Sequence, residues 1–189
     1  MAQQFPQIEP KHRDFIERQH MFFTASATDT SRVNISPRST DALRVLDAHT
    51  VTYLDLTGSG NETAAHLRAD GRMTIMLCAV EGPPLILRLY GRGQTLPSGS
   101  DDYEQLLKDA YDSEAPLGAR QIVRLDIDLV QTSCGFGVPL FDYTGEREMM
   151  ARWAEAKGEE GLVAYRLEKN THSIDGLPTG LTDDKNAAD

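Results

Sequence analysis

A chain of 189 residues, 40% hydrophobic and 25% charged, is long enough to bury the core of one ordinary domain and too apolar to stay disordered. Its 19 basic residues stand against 29 acidic ones, for a formal charge of −10, which opposes the phosphate neutralisation that drives nucleic-acid binding. No stretch approaches the roughly 20 apolar residues of a membrane span, and the N-terminal segment has no apolar run of signal-peptide length, so the composition predicts a cytoplasmic protein with neither nucleic acid nor membrane as partner.

In chain order, "DFIERQHMFFTASA" reads as an amphipathic helix with Phe15, Ile16, Gln19, Phe22 and Phe23 near one stripe, followed by small residues that could begin a strand. "RVNISPR" alternates Val33 and Ile35 with Asn34 and Ser36 until Pro37, which predicts a short strand stopped by proline. "HTVTYLDL" is the next strand, and a helix of about two turns follows its glycine turn. "RMTIMLCAV" sets Met73, Ile75 and Leu77 opposite Met76, Cys78 and Val80, as in a central strand buried on both faces. "EGPP" then turns the chain into "LILRLYGRGQTL", an antiparallel partner.

"SDDYEQLLKDAYD" is a helix capped by Ser100 or Asp101, with Tyr103, Leu106, Leu107 and Ala110 as its buried stripe. "RQIVRLDIDLVQTS" is a long strand with Val123, Leu125, Ile127 and Leu129 on one face. Residues 144–170 read as a helical hairpin with Met149, Met150 and Trp153 as a core or dimer stripe, and 182–189 as a disordered tail. The whole predicts one mainly β (α+β) domain over 1–189, with five to seven antiparallel strands flanked by helices. Cys78 and Cys134 are too few for a disulfide framework, and the five histidines are scattered, so no metal site is expected.

The informative stretch is "TVTYLDLTGSGNETAAHLRADG", residues 50–71, where a strand, a glycine turn and a helix start follow one another. A helix N-terminus offers unpaired N–H groups and a positive dipole end to a phosphate. Gly58, Gly60 and Thr63 nearly match the dinucleotide fingerprint, and Glu81 lies about 20 residues on, where a ribose-binding acid would stand. The helix is too short for a parallel crossover, Glu81 opens a tight turn, and Thr63 replaces the glycine of close helix packing. The reading is therefore a turn in an antiparallel barrel. Without a ligand, "GSGNET" would be a helix start capped by Asn61.

Here the chain resembles the FMN-binding split-barrel proteins related to pyridoxamine 5'-phosphate oxidase, in "RVNISPR" (32–38), residues 50–67 and "RMTIMLCAVEGPPLILRLYGRG" (72–93). "QTSCGFGVP" (131–139) and "SIDGLP" (173–178) resemble a subgroup of small bacterial proteins in that family. The resemblance implies an antiparallel split β-barrel, active as a homodimer with FMN at the interface. It implies that the phosphate lies on the turn carrying Thr57, Ser59, Asn61, Glu62 and Thr63, with Arg32 or Arg38 as the positive charge. Asn34, Ser36 and Pro37 would face the flavin ring, and Arg88 would reach its pyrimidine side or phosphate.

Two departures stand out. Asn61, Glu62 and Thr63 occupy positions where the oxidases carry a Ser-Arg-Lys type grip, so Glu62 must point away from a phosphate, pair with Arg38 or accept a ribityl hydroxyl. The region "YRLEKNTHSIDGLP" lacks the Arg-x-His pair that binds the oxidases' substrate. The expectation is an FMN-dependent oxidoreductase acting on another small molecule. The alternatives left open are a non-catalytic flavin or haem carrier or sensor, and a deazaflavin in place of FMN. Phe136 would be a lid over the flavin or part of a bent strand end, and Cys134 has no visible partner that would make it a nucleophile.

Overall fold

The computed structural model describes residues 2–112 and 115–181, so the tail expected over 182–189 lies outside the described residues. Among the described residues eight strands and four α-helices follow one another: β1 (Gln3–Phe5), α1 (Pro10–Glu17), β2 (Met21–Ser26), β3 (Asn34–Ser39), β4 (Leu43–Val45), β5 (Thr50–Leu56), α2 (Glu62–Ala69), β6 (Arg72–Cys78), β7 (Ile86–Pro97), α3 (Asp101–Ala110), β8 (Ala119–Ser133) and α4 (Met149–Lys169). The sheet order is β3-β2-β6-β7-β8-β5-β4, with β1 also on β8. Every named pairing is antiparallel, which removes the parallel neighbour a dinucleotide fold would need. The sheet curls into a split barrel whose end strands, β3 and β4, pair with their neighbours but not with each other.

One face of the curl is filled by Phe22, Val51, Tyr53, Ile75, Leu77, Leu87, Leu89 and Leu125, each at most 1% exposed, with Phe15 and Ile16 of α1 and Leu67 of α2 packed among them. On the opposite face, Tyr103 and Leu107 of α3 pack with Tyr111 against Leu54 and Ile122. Ser100 caps α3 by accepting the Tyr103 N–H, which decides between the two cap candidates.

Several sequence expectations change. Helix α1 starts at Pro10, a residue suited to a first helical position, and ends at Glu17. Phe22 and Phe23 therefore lie in β2, where alternation buries the first and leaves the second half-exposed. Strand β3 runs through Pro37, which pairs with Phe23; an edge strand accepts a residue without an N–H. Strand β6 buries Met73, Ile75 and Leu77 but leaves Thr74, Met76 and Cys78 half-exposed, so only one of its faces is covered. The two short strands β1 and β4 carry too few residues for a periodicity to show.

In β8, Val130 rather than Leu129 is buried, because the ladder shifts register there: Tyr90 pairs with Leu129 but Gly91 with Ile127. The extra residue, Asp128, is a β-bulge that flips the side-chain phase. Gly91 sits at the bend, where an added Cβ would lie 1.9 Å from the Asp126 carbonyl oxygen.

Helix α4 folds back on itself within its length. Gly158, at φ 65° and ψ 171°, holds a conformation open essentially to glycine alone. The rings of Trp153 and Tyr165 meet edge to face with centroids 5.1 Å apart, whereas continuous helix would separate these residues by about 18 Å. Its core stripe differs: Ala154 and Leu162 are buried, while Met149 and Met150 are 72% and 45% exposed.

Replacing Gly91 by alanine should destabilise the fold by about 3 kcal/mol or more, since backbone rather than a flexible side chain blocks the new methyl. Gly137→Ala, with open space around it, should stay within about 0.5 kcal/mol of the parent. Urea unfolding of the two variants tests the bulge.

Candidate functional site

Leaving β5, the chain buries Thr57, whose hydroxyl donates to the Gly118 carbonyl (2.8 Å) and accepts from Arg166 Nε (2.7 Å). The following turn is pinned by its carbonyls: Gly58 O accepts from Asn170 Nδ2 (3.0 Å) and Gly60 O from Arg120 Nη2 (2.9 Å). Asn61 does not cap α2. Its carboxamide is turned inward, accepting from Gln121 Nε2 (2.9 Å) and donating to the Asn170 carbonyl (3.4 Å). The first turn of α2 thus has no side-chain cap, and residues 58–63 line a cleft of about 1060 Å³.

Strand β3 forms the facing wall. Ser36 Oγ donates to Asn34 Oδ1 (3.4 Å), and Asn34 Nδ2 donates to Thr63 Oγ1 (3.2 Å), so the strand is tied to the helix start. Arg38 reaches beneath both. Its Nη1 donates to Asp55 Oδ1 at 2.5 Å, and its guanidinium carbon lies 4.7 Å from the centroid of the Tyr53 ring. The buried Nε of Arg38 has no hydrogen-bond partner among the described residues.

Asp55 is 1% exposed, and its second oxygen accepts from Arg120 Nε (2.8 Å) and Gln121 Nε2 (2.7 Å). Burial pushes the Asp55 carboxyl up, but the Arg38 and Arg120 guanidiniums outweigh burial and hold it below the ordinary aspartate value. Burial above all pushes the neighbouring Tyr53 phenol up to about 12, against the pull of the Arg38 charge. Two cations on one carboxylate leave a net positive charge under the cleft.

The C-terminal loop closes the other side. Both carboxylate oxygens of Glu62 accept the Ile174 N–H (3.2 and 3.0 Å), so Glu62 is turned toward this loop and away from the helix axis. Arg32 donates from its backbone N–H to Asp175 Oδ2 (2.8 Å) and from Nη1 to Oδ1 of the same carboxylate. Those contacts, the backbone N–H first, hold Asp175 below the ordinary aspartate value. Arg147, Met149, Met150, Val33 and Ile174 complete the rim.

Nine of the eleven residues singled out from the sequence therefore line one cleft: Arg32, Asn34, Ser36, Pro37, Arg38, Ser59, Asn61, Glu62 and Thr63. Thr57 is buried behind the turn. Arg88 stands elsewhere on the sheet and donates to Ser133 Oγ (3.1 Å). Sequence reasoning missed Asp55, Arg120, Asn170 and Arg147. Asp55 carried a signal, since it shares the inward phase of Val51 and Tyr53 in β5 and an acid in that phase requires a counter-charge. Asn170 carried none.

A family model described as pyridoxamine 5'-phosphate oxidase matches residues 8–134. The chain is 37% identical over 182 residues to the pyridoxamine 5'-phosphate oxidase family protein ustO of Aspergillus flavus, covering 88% of this chain and 73% of that one. The fold is similar to that of HupZ from Group A Streptococcus, with a TM-score of 0.54 at 20% identity over 67% of this chain and 99% of that one. It is also similar to an FAD-binding protein of Mesorhizobium loti, with a TM-score of 0.50 at 12% identity over 70% of this chain and 97% of that one.

Asp55→Asn leaves two inward-facing guanidiniums without a counter-charge and should cost about 3 kcal/mol, the lower end for a broken buried pair because Arg38 retains some solvent. The folded pKa of Asp55 lies below its unfolded value of about 3.9. Its contribution is therefore complete above that pH and is lost as pH falls toward the lowered folded value. Urea midpoints measured between neutral pH and pH 3 should fall more steeply in the parent than in the Asn variant, which keeps only the acid limb of the other lowered carboxylates such as Asp175.

Proposed function

Because the chain belongs to the pyridoxamine 5'-phosphate oxidase family, we propose that its cleft holds FMN and that the protein is a flavin-dependent oxidoreductase. One observation carries the reading. The first turn of α2 opens into the cleft with no side-chain cap, because the residue that would cap it, Asn61, is bonded to Gln121 and Asn170 instead. Uncapped N–H groups at the positive end of a helix are suited to a phosphate.

The charge agrees. Arg38, Asp55 and Arg120 together supply one net positive charge beneath the turn, and Glu62, the one acid of the first turn, is held by Ile174. The Thr63 hydroxyl adds a donor, and the partnerless Nε of Arg38 adds another. The fit is to a single phosphate, which favours FMN over FAD.

In this reading Asn34, Ser36 and Pro37 position the ring system along β3, and the loop 173–178 excludes water from the phosphate end. A bound flavin supplies a hydride acceptor; the chain contributes position, charge and dryness. The segment after α4 carries no Arg-x-His pair, so the substrate differs from that of the oxidases that make pyridoxal phosphate. A homodimer would cover the exposed side chains of Ile35, Phe136, Leu140 and Phe141 and shield the flavin between two copies.

Fluorescence titration should show saturable binding of FMN, weaker binding of FAD, and weaker binding of riboflavin, which lacks the phosphate. Thr63→Ala should weaken FMN by about 1 kcal/mol, roughly fivefold, and leave riboflavin unchanged. Riboflavin binding as tightly as FMN would place the phosphate outside the turn. Continued consumption of NADPH by the FMN-loaded protein distinguishes an oxidoreductase from a carrier, which is reduced once and stops. Sedimentation should give a dimer, and a monomer that holds FMN tightly would contradict the interface site.

A further inference from the structure

The chain as a whole carries a charge of −10, yet its cleft is lined by four arginines, Arg32, Arg38, Arg120 and Arg147, and one acid, Glu62. Three of these cations are already answered. Arg32 pairs with Asp175, and Arg38 and Arg120 share Asp55. Arg147 has no acidic partner among the described residues and is exposed at the rim.

The rim around it is apolar. Val33, Met149 and Ile174 are 69%, 72% and 75% exposed and Met150 is 45% exposed, and all four line the same cleft as Arg147. Large apolar side chains gathered bare at the mouth of a cleft mark a binding surface, and methionine adapts to irregular apolar ligands. At about 1060 Å³ the cleft stands at the top of the roughly 300–1,000 Å³ range of ligand pockets, and its lining runs from the turn at 58–63 out to this apolar rim.

We propose that the outer part of the cleft takes an apolar substrate bearing one anionic group, with Arg147 recognising the charge and Val33, Met149, Met150 and Ile174 covering the apolar body. The proposal rests on the flavin reading, which assigns the inner part to the cofactor. A free guanidinium in a cleft of an otherwise acidic protein selects an anion in two ways. The surrounding negative charge repels anions from the rest of the surface, and the planar fork binds a carboxylate bidentately. An uncharged ligand of the same shape would keep the apolar contact and lose the fork.

The test uses the full chain loaded with FMN and three probes of one length: octanoate, octanol and octylamine. Perturbation of the flavin absorbance should saturate with octanoate, need roughly tenfold more octanol, the loss of one charge-assisted contact, and be absent with octylamine. Arg147→Gln should abolish the preference for octanoate over octanol while leaving the FMN dissociation constant within twofold of the parent. Met150→Ser should weaken octanoate and octanol alike. Equal binding of the two probes by the parent overturns the proposal. So does a loss of FMN affinity in Arg147→Gln, which would give this cation to the cofactor's phosphate, or a loss of dimer in that variant, which would make the rim a contact between copies. Should the parent fail to bind FMN, the flavin reading falls by itself; calorimetric titration of octanoate into the flavin-free parent and Arg147→Gln then decides this proposal alone.

Discussion

Asp55 is the point on which the site is built. A carboxylate removed from water is costly unless it is paired and hydrogen-bonded, and Asp55 meets that condition by drawing in Arg38 from β3, and Arg120 and Gln121 from the start of β8. Each of those groups then positions something else. Arg120 fixes the Gly60 carbonyl and Asn170, and Gln121 fixes Asn61. One buried anion thereby sets the turn before α2, the wall opposite it and the end of the C-terminal hairpin.

This network also accounts for how a sequence with few positive residues near its turn can still form an anion-suited cleft. The two cations come from positions distant in the chain, 17 and 65 residues from Asp55, and meet only when β3, β5 and β8 have curled together. Had the turn itself carried the charge, the carboxylate would be superfluous. Here the acid gathers the bases and leaves one net charge where the helix dipole points.

How much of this could be read beforehand depended on period and locality. The strands β5, β7 and β8 announced themselves because alternation over seven or more residues fits little besides a strand. The end of α1 did not, since Phe22 and Phe23 satisfy a helical stripe and a strand equally well, and pairing between β2 and both neighbours decided the matter. The bulge at Asp128 was hidden because only the opposing Gly91 gives it away. Most of the cleft lining was legible through the turn and the β3 segment. Asn170 and Arg147 were not: nothing local in the sequence reveals that Asn170 will bond the Gly58 carbonyl from behind the turn or that Arg147 will line the same cleft.

The loop at 173–178 and the rim at 147–150 lie beyond residue 134, where the match to the family model ends. The sheet, the turn and the wall formed by β3 all precede that point, and of the cleft's lining only the C-terminal loop and the rim at 147–150 come after it. Asn170 and Arg166 reach back from this later segment to the turn and to the start of β8, so the turn is held from both ends of the chain. A cut within the exposed stretch between β8 and α4 would therefore separate the strands from the residues that pin the turn and border the cleft.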